Sequence, residues 1–282
     1  MKISLKRILI TFSLLLGIVF AIYWGSVRWL KVYNHAVYFD DLPEHLEGLR
    51  ILQISDLHAN NPVEVHFDIW AHVEREDFDI AVITGDIILG LTWNHDGPLL
   101  ELEPHREHLA ALAHRVPTFF VEGNHEAHHY RQIRQFMEEV GIVFLHNDVE
   151  LLEINGGVIE IIGTADYSTL TRRIGFDDFD VLFATPSDNF QLVLMHQPQL
   201  FDRTKASGIN MALAGHTHGG QLRLPFLPTI YAPQQGFLPR YGAGFYYHND
   251  AVLYVSRGIG TTYFPIRFWN RPEIAVFELR SR

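Results

Sequence analysis

The sequence predicts a layered α/β sandwich behind an amino-terminal membrane-spanning helix. Three observations predict it. The run Ile8–Val27 holds 20 residues without a charge. Short Val-, Ile- and Phe-rich runs of strand length recur from Ile51 onward. The early runs alternate with helix-like stretches and the later ones follow closely on one another, the pattern of packed sheets with helices outside.

In chain order, the uncharged run comes first. At 1.5 Å rise per residue its 20 residues span roughly 30 Å, the thickness of a bilayer's hydrocarbon. Tyr23, Trp24 and Trp29 lie at its carboxyl end, where interfacial aromatics are expected. A cleaved signal peptide would want a small-x-small site, and Ala21 with Gly25-Ser26 offers only a poor one among bulky neighbours. A buried core helix would need cover on all sides. Residues 1–31 therefore read as an uncleaved single-pass membrane anchor. Lys2, Lys6 and Arg7 precede the span and Arg28 and Lys31 follow it, which leans toward a cytoplasmic amino terminus and an external domain.

Residues 32–48 read as a linker, in which Ala36–Phe39 forms an edge strand, and 49–282 as one domain. Strand-like runs are Ile51–Ile54, Ile80–Thr84, Thr118–Val121, Val158–Ile162, Leu192–Met195, Met211–Ala214, Val252–Val255 and Ile274–Leu279. Helix-like stretches are Val65–Arg75, Leu99–His114 and His129–Val140, the last with Gly141 as its stop. The Gly/Pro-rich, aromatic stretch Leu222–Tyr247 reads as a long surface loop. Its Leu222, Leu224, Phe226, Leu227, Phe237, Leu238, Phe245, Tyr246 and Tyr247 either meet acyl chains or cap the core.

Composition narrows the chemistry. The 282 residues include no Cys, which excludes a disulfide scaffold, a thiolate metal site and a cysteine nucleophile. The net charge of −11 argues against a general nucleic-acid binder. It divides into +5 over 1–31, −20 over 32–221 and +4 over 222–282. There are 17 His, a residue suited to metals and to proton transfer.

Five strand-like runs end in polar residues of one kind. They are followed by Asp56-Leu57-His58, by Gly85-Asp86, by Gly123-Asn124-His125-Glu126, by His196, and by Gly215-His216-Thr217-His218. In α/β sheets, ligands gather beyond the carboxyl ends of strands. Asp56 with His58, and His216 with His218, are two residues apart, so in extended backbone each pair points the same way. Any one of these residues alone is more often a cap, a turn or a packed side chain. Five ordered blocks together are not. Carboxylate, imidazole and amide oxygen suit Mn, Fe or Zn, and so many N/O donors exceed the need of one tetrahedral ion.

These blocks together resemble the signature of the calcineurin-like metallophosphoesterases, from about Leu49 to the carboxyl terminus. The resemblance implies a four-layer α/β/β/α sandwich of two mixed sheets with two divalent metal ions, Mn above all, at strand ends. It implies that Asp56, His58, Asp86 and His218 hold one ion. Asp86, as bridge, Asn124, His196 and His216 would hold the other, with His125 a non-ligand near the leaving oxygen. Protein phosphatases of the superfamily follow the bridging Asp with a further Asp-Arg-Gly, whereas this chain reads Asp86-Ile87-Ile88-Leu89-Gly90. The runs Gly215–Gln221, Ser256–Gly260 and Arg271-Pro272-Glu273 instead resemble a bacterial membrane-associated branch. That branch includes phosphodiesterases with twin-arginine signals and the chlamydial-type UDP-2,3-diacylglucosamine pyrophosphatase of lipid A synthesis. Lys6-Arg7 is not the Arg pair of such a signal.

The implied function is hydrolysis of a phosphodiester or pyrophosphate bond, the ions supplying a nucleophilic water near neutral pH. His125 would donate toward the leaving oxygen. Arg257, Arg267 and Arg271 are candidates for binding substrate phosphate, with surface ion pairs as the alternative. An anchor beside such a site favours a lipid-linked substrate such as UDP-2,3-diacylglucosamine. That lipid is made on the cytoplasmic side, opposite to the side the charge bias favours. A broad phosphodiesterase or phosphatase on soluble esters is the alternative. A non-catalytic metal-binding membrane module would lack ligands or His125, and none is missing.

Overall fold

The computed structural model describes residues 5–59, 69–90, 97–221, 223, 227, 229–261 and 267–282. Helix α1 is Leu5–Arg28, and its segment Lys6–Ser26 is long and apolar enough to cross a membrane. Strand β1, Lys31–Phe39, follows it directly, then β2, Arg50–Ile54. Helices α2 (Ile69–Arg75), α3 (Gly97–Leu102), α4 (Arg106–Arg115) and α5 (Tyr130–Glu139) alternate with β3 (Ile80–Thr84), β4 (Thr118–Val121) and β5 (Val143–Leu145). The helix-like stretch Leu99–His114 is thus two helices, divided by a 3-10 turn at Glu103–His105 whose Pro104 has no N–H to continue the ladder. The stretch beginning at Val65 is helical from Ile69; residues 65–68 lie outside the described residues.

The second half supplies β6 (Asp148–Ile154), β7 (Gly157–Gly163), β8 (Phe190–Leu194), β9 (Met211–Ala214), β10 (Tyr231–Ala232), β11 (Gly236–Phe237), β12 (Gly244–His248), β13 (Ala251–Val255) and β14 (Glu273–Ser281). Among the described residues these strands form two six-stranded sheets, ordered β1-β14-β2-β3-β4-β5 and β12-β13-β9-β8-β7-β6, and a β10-β11 hairpin. Both large sheets are mixed: β2 to β5 run parallel and β14 antiparallel to β2, while β9 is parallel to β8 and β13, and β6 and β12 are antiparallel edges. The Leu222–Tyr247 stretch is therefore not one loop. It holds the hairpin and the start of an edge strand. Leu222, Leu224, Pro225, Phe226 and Pro228 lie outside the described residues.

Three apolar layers hold this arrangement. Side chains alternate across each strand, so residues i and i+2 share a face. Ile51, Val82, Phe119 and Phe277 from one sheet meet Ile161, Leu192, Leu213 and Tyr254 from the other. The opposite face of the first sheet, with Leu52, Ile83 and Phe120, packs on Trp70, Leu109, Leu112, Ile133 and Phe136 of the helices. The opposite face of the second, with Val193, Ala212 and Leu253, packs on Leu170, Phe179 and Phe201 of the short helical segments Leu170–Ile174, Asp177–Leu182 and Phe201–Thr204. The order is helix, sheet, sheet, helix. Because both faces are covered, central strands read as unbroken apolar runs. Phe245 and Tyr246 cap these layers, whereas Leu227, Phe237, Leu238 and Tyr247 are exposed.

Candidate metal centre

The five polar blocks come together where the carboxyl ends of the two sheets meet. Asp56 and His58 follow β2, Asp86 follows β3 and Asn124 and His125 follow β4, all neighbours in one sheet. His196 follows β8, and His216 and His218 follow β9, neighbours in the other. The sheets are stitched at this edge. The Gln53 amide donates to Thr84 Oγ1 at 2.9 Å and to the Ala214 carbonyl at 3.0 Å. The His216 N–H donates to Asp56 Oδ1 at 2.9 Å.

The donor atoms converge on the Asp86 carboxylate. Its Oδ2 lies 3.1 Å from His196 Nε2, 3.8 Å from His125 Nε2 and 3.9 Å from His58 Nε2. His58 Nε2 is 3.1 Å from His218 Nε2, and His216 Nδ1 is 3.2 Å from His196 Nε2. Two nitrogens each about 2.0–2.1 Å from one tetrahedral ion would stand about 3.3 Å apart, so each pair has the spacing of two ligands on a shared ion. The donors group as Asp56, His58 and His218, and as Asp86, His196 and His216. A third grouping, His58, Asp86 and His125, brings His125 within reach as well. Asn124 Oδ1 is buried with no hydrogen-bond partner among the described residues, which suits an oxygen that faces a cation. The side chains present therefore fit two divalent ions held by nitrogen and oxygen.

Outer contacts aim these rings. His58 Nδ1 is 3.1 Å from the Ile88 carbonyl and His196 Nδ1 2.8 Å from that of Thr84, so each presents Nε2 inward. His125 Nδ1 is 2.7 Å from the Leu89 carbonyl. His125 is also the most open of the histidines at this site, with its side chain 13% exposed.

The backbone reaches this geometry by a route different from the extended pairs expected. Asp56, His58, Asp86, His216 and His218 all have positive φ, between 47° and 71°. Left-handed residues at both members of a pair still turn their side chains into one site. For non-glycine residues that conformation costs about 1–2 kcal/mol each. Cross-strand bonds hold it: Asp56 N–H to the Gly85 carbonyl and His58 N–H to the Asp86 carbonyl, both 3.0 Å.

Burial sets the protonation states. It pushes the His58 and His216 imidazoles down to about 3, and His218 well below its ordinary value. These rings are unprotonated at neutral pH, with a lone pair free for a cation. Burial also works against a charge on His196, but the Asp86 carboxylate outweighs it and raises His196 well above its usual range. Burial pushes Asp56 up to about 6.

Glu126 is a site residue whose role sequence reasoning missed. Fully buried, it accepts the N–H groups of Asp86 at 2.8 Å, Gly123 at 2.7 Å and Ile88 at 3.1 Å. It thereby fixes the turns that present Asp86 and Asn124. Its place in the Gly123–Glu126 block was the signal. Gly123 shows why no side chain is allowed there: a Cβ would overlap Asp86 Oδ1 and stand 2.5 Å from the Asp86 backbone nitrogen.

The three candidate arginines are not gathered at the metal-facing side chains. Arg267 is fully buried and lies behind His218, its Nη2 3.4 Å from His218 Nδ1 and donating to the carbonyls of Arg257 and Gly258. It braces the loop from inside. Arg257 pairs with Glu273 at 3.5 Å and donates to Tyr33 Oη at 3.3 Å. Arg271 Nε donates to the Trp29 carbonyl at 2.9 Å, which ties it to the root of α1.

Residues 49–220 match the family model for calcineurin-like phosphoesterases. The metallophosphoesterase YkuE of Bacillus subtilis is 29% identical over 92% of this chain and 90% of its own length. The phosphodiesterase YaeI of Escherichia coli is 27% identical over 89% of this chain and 88% of its own. A solved dimetal phosphatase from Danio rerio aligns over 75% of this chain and 88% of that one, with 12% identity and a TM-score of 0.47. With the matched residues spanning most of the chain and including every one of the converging donors, the protein belongs to the calcineurin-like phosphoesterase family of metal-dependent phosphoester hydrolases.

Proposed function

We propose that the chain is a membrane-anchored two-metal hydrolase of a phosphodiester or pyrophosphate bond in a lipid or nucleotide-lipid, such as UDP-2,3-diacylglucosamine. The observation that carries the reading is one chain holding both a doubled His/Asp cluster and the 21-residue apolar span Lys6–Ser26. Asp56, His58, Asp86 and His218 hold one ion, and Asp86, Asn124, His196 and His216 the other, Mn being first choice and Fe or Zn alternatives. When bound, the ions supply Lewis acidity and a nucleophile near neutral pH.

The chain's own groups do the rest. Asp86 sits between the two histidine pairs and serves both. Glu126 and the left-handed turns preorganise the donors, so no reorganisation is left for the reaction itself. His125, with Nδ1 against the Leu89 carbonyl, presents Nε2 at the cluster's rim, 3.8 Å from Asp86 Oδ2. Burial opposes a charge on this ring, but Asp86 and Glu126 raise its affinity for a proton above the ordinary value. It is therefore suited to give a proton or a hydrogen bond to the departing oxygen.

A second reading is supported by the phosphodiesterase name of YaeI: a diesterase on soluble esters, with α1 fixing location only. Incubation of the purified full chain with Mn²⁺ and a panel of UDP-lipid, phospholipid, cyclic-nucleotide and monoester substrates separates them. Preference for the UDP-lipid supports the first reading. Selective cleavage of a simple monoester sinks it.

A further inference from the structure

The carboxyl-terminal turn of α1 is fastened to the domain. Ser26 Oγ accepts the Trp269 N–H at 2.8 Å, and Arg271 grips the Trp29 carbonyl while its guanidinium lies 5.9 Å from the Trp29 ring centre. Between the helix and the domain lies an open cavity of about 410 Å³. One wall is apolar, from Ala21, Ile22 and Gly25 of α1, and the other carries Arg257, Arg271 and Trp269.

Charge in this corner is unbalanced. Glu273 is the carboxylate paired with Arg257. Arg223 feels the positive charge of Arg257, and its Nη1 is buried with no hydrogen-bond partner among the described residues. Arg271 spends Nε on a carbonyl, and among the described residues no partner holds its terminal nitrogens. The cavity itself is lined by two guanidinium groups, Arg257 and Arg271, against the one carboxylate, with Arg223 adding positive charge from beyond the lining. This leaves room for an anion, and the planar fork of Arg matches phosphate oxygens.

We propose that this cavity binds the phosphate headgroup of an anionic phospholipid from the bilayer that α1 enters. The proposal rests on reading α1 as a membrane span. Phosphate is the chemistry recognised, and the geometry favours a lipid as its source. The cavity opens at the end of the apolar helix, at headgroup depth, and its α1 wall is apolar where an acyl chain would descend. Trp29 and Trp269 flank it, 63% and 51% exposed, with the amphipathic character of interfacial tryptophans. The site is separate from the histidine cluster. Asn270 links the two, its Nδ2 donating to the His218 carbonyl at 2.6 Å beside Trp269.

The test uses the full chain in nanodiscs of phosphatidylcholine with a minor fraction of phosphatidylglycerol, reading the lipids retained by native mass spectrometry. The wild type should enrich phosphatidylglycerol. Arg271→Gln should lower that enrichment about tenfold, the loss of one charge-assisted pair, and Arg271→Lys should recover part of it. Arg257→Gln is the second variant, with melting temperature and metal content confirming that each variant is folded. Equal enrichment in the wild type and both Gln variants overturns the proposal. So does complete loss of enrichment on adding inorganic phosphate, which would make the cavity a free-phosphate site. A wild-type chain that does not enter discs at all would instead refute the membrane reading itself.

Discussion

Replacing Gly123 by Ala presses one methyl group against the turn that carries Asp86. Gly123 is not among the positive-φ glycines, so Ala there carries no backbone penalty and the effect is steric. The new Cβ would stand 2.5 Å from the Asp86 backbone nitrogen and 2.9 Å from Asp86 Cγ. An ordinary contact needs about 3.4 Å, so the turn must open by about 0.9 Å, at an overpacking cost of about 1–3 kcal/mol. Asp86 cannot retreat freely, because its N–H is held by Glu126 and its carbonyl by His58. A displacement near 1 Å at the Asp86 carboxylate should lower kcat about 100-fold. The assay is hydrolysis of a chromogenic phosphodiester with Mn²⁺, with metal content by elemental analysis and a thermal melt. Gly48→Ala, at a positive-φ glycine with open space around it, is the control for backbone strain alone. A Gly123→Ala protein with full turnover and full metal would falsify the close-approach argument.

Three further outcomes follow from the site. His125→Ala should lower turnover by about 10²–10⁴-fold while both ions stay bound, and loss of an ion would make His125 a ligand instead. Asp86→Ala should empty both sites, and elemental analysis still finding two ions would remove Asp86 from the bridging position. His196 is held protonated by Asp86, well above its usual range, so an ion must displace that proton. Metal affinity should therefore rise with pH, by about tenfold per unit for each proton released, and flat titrations between pH 6 and 8 (roughly the accessible range) would contradict that linkage.

Much of this was legible in the sequence because both sheets are covered. Central strands such as Ile80–Thr84 and Met211–Ala214 are apolar on both faces and stand out as runs. Edge strands do not. Strand β6, Asp148–Ile154, carries three acids among its seven residues and is largely exposed, and β12 looks like part of a loop until it pairs with β13. The ligand candidates were legible by type and by position after each strand. Their backbone was not, since nothing in Asp-Leu-His or His-Thr-His announces two left-handed residues. Nor does composition tell a buried arginine from an exposed one. Arg267 packs under the loop it braces, while Arg257 and Arg271 face the root of α1.

The left-handed turns have a consequence for the life of the protein in a cell. Five of them at about 1–2 kcal/mol each approach the whole net stability of an ordinary domain, about 5–15 kcal/mol. Ions that bind only the folded chain offset that strain by mass action. A copy that fails to load carries it uncompensated and spends longer open to proteases. The steady amount of this enzyme, and not only its turnover, is thereby tied to the supply of divalent metal.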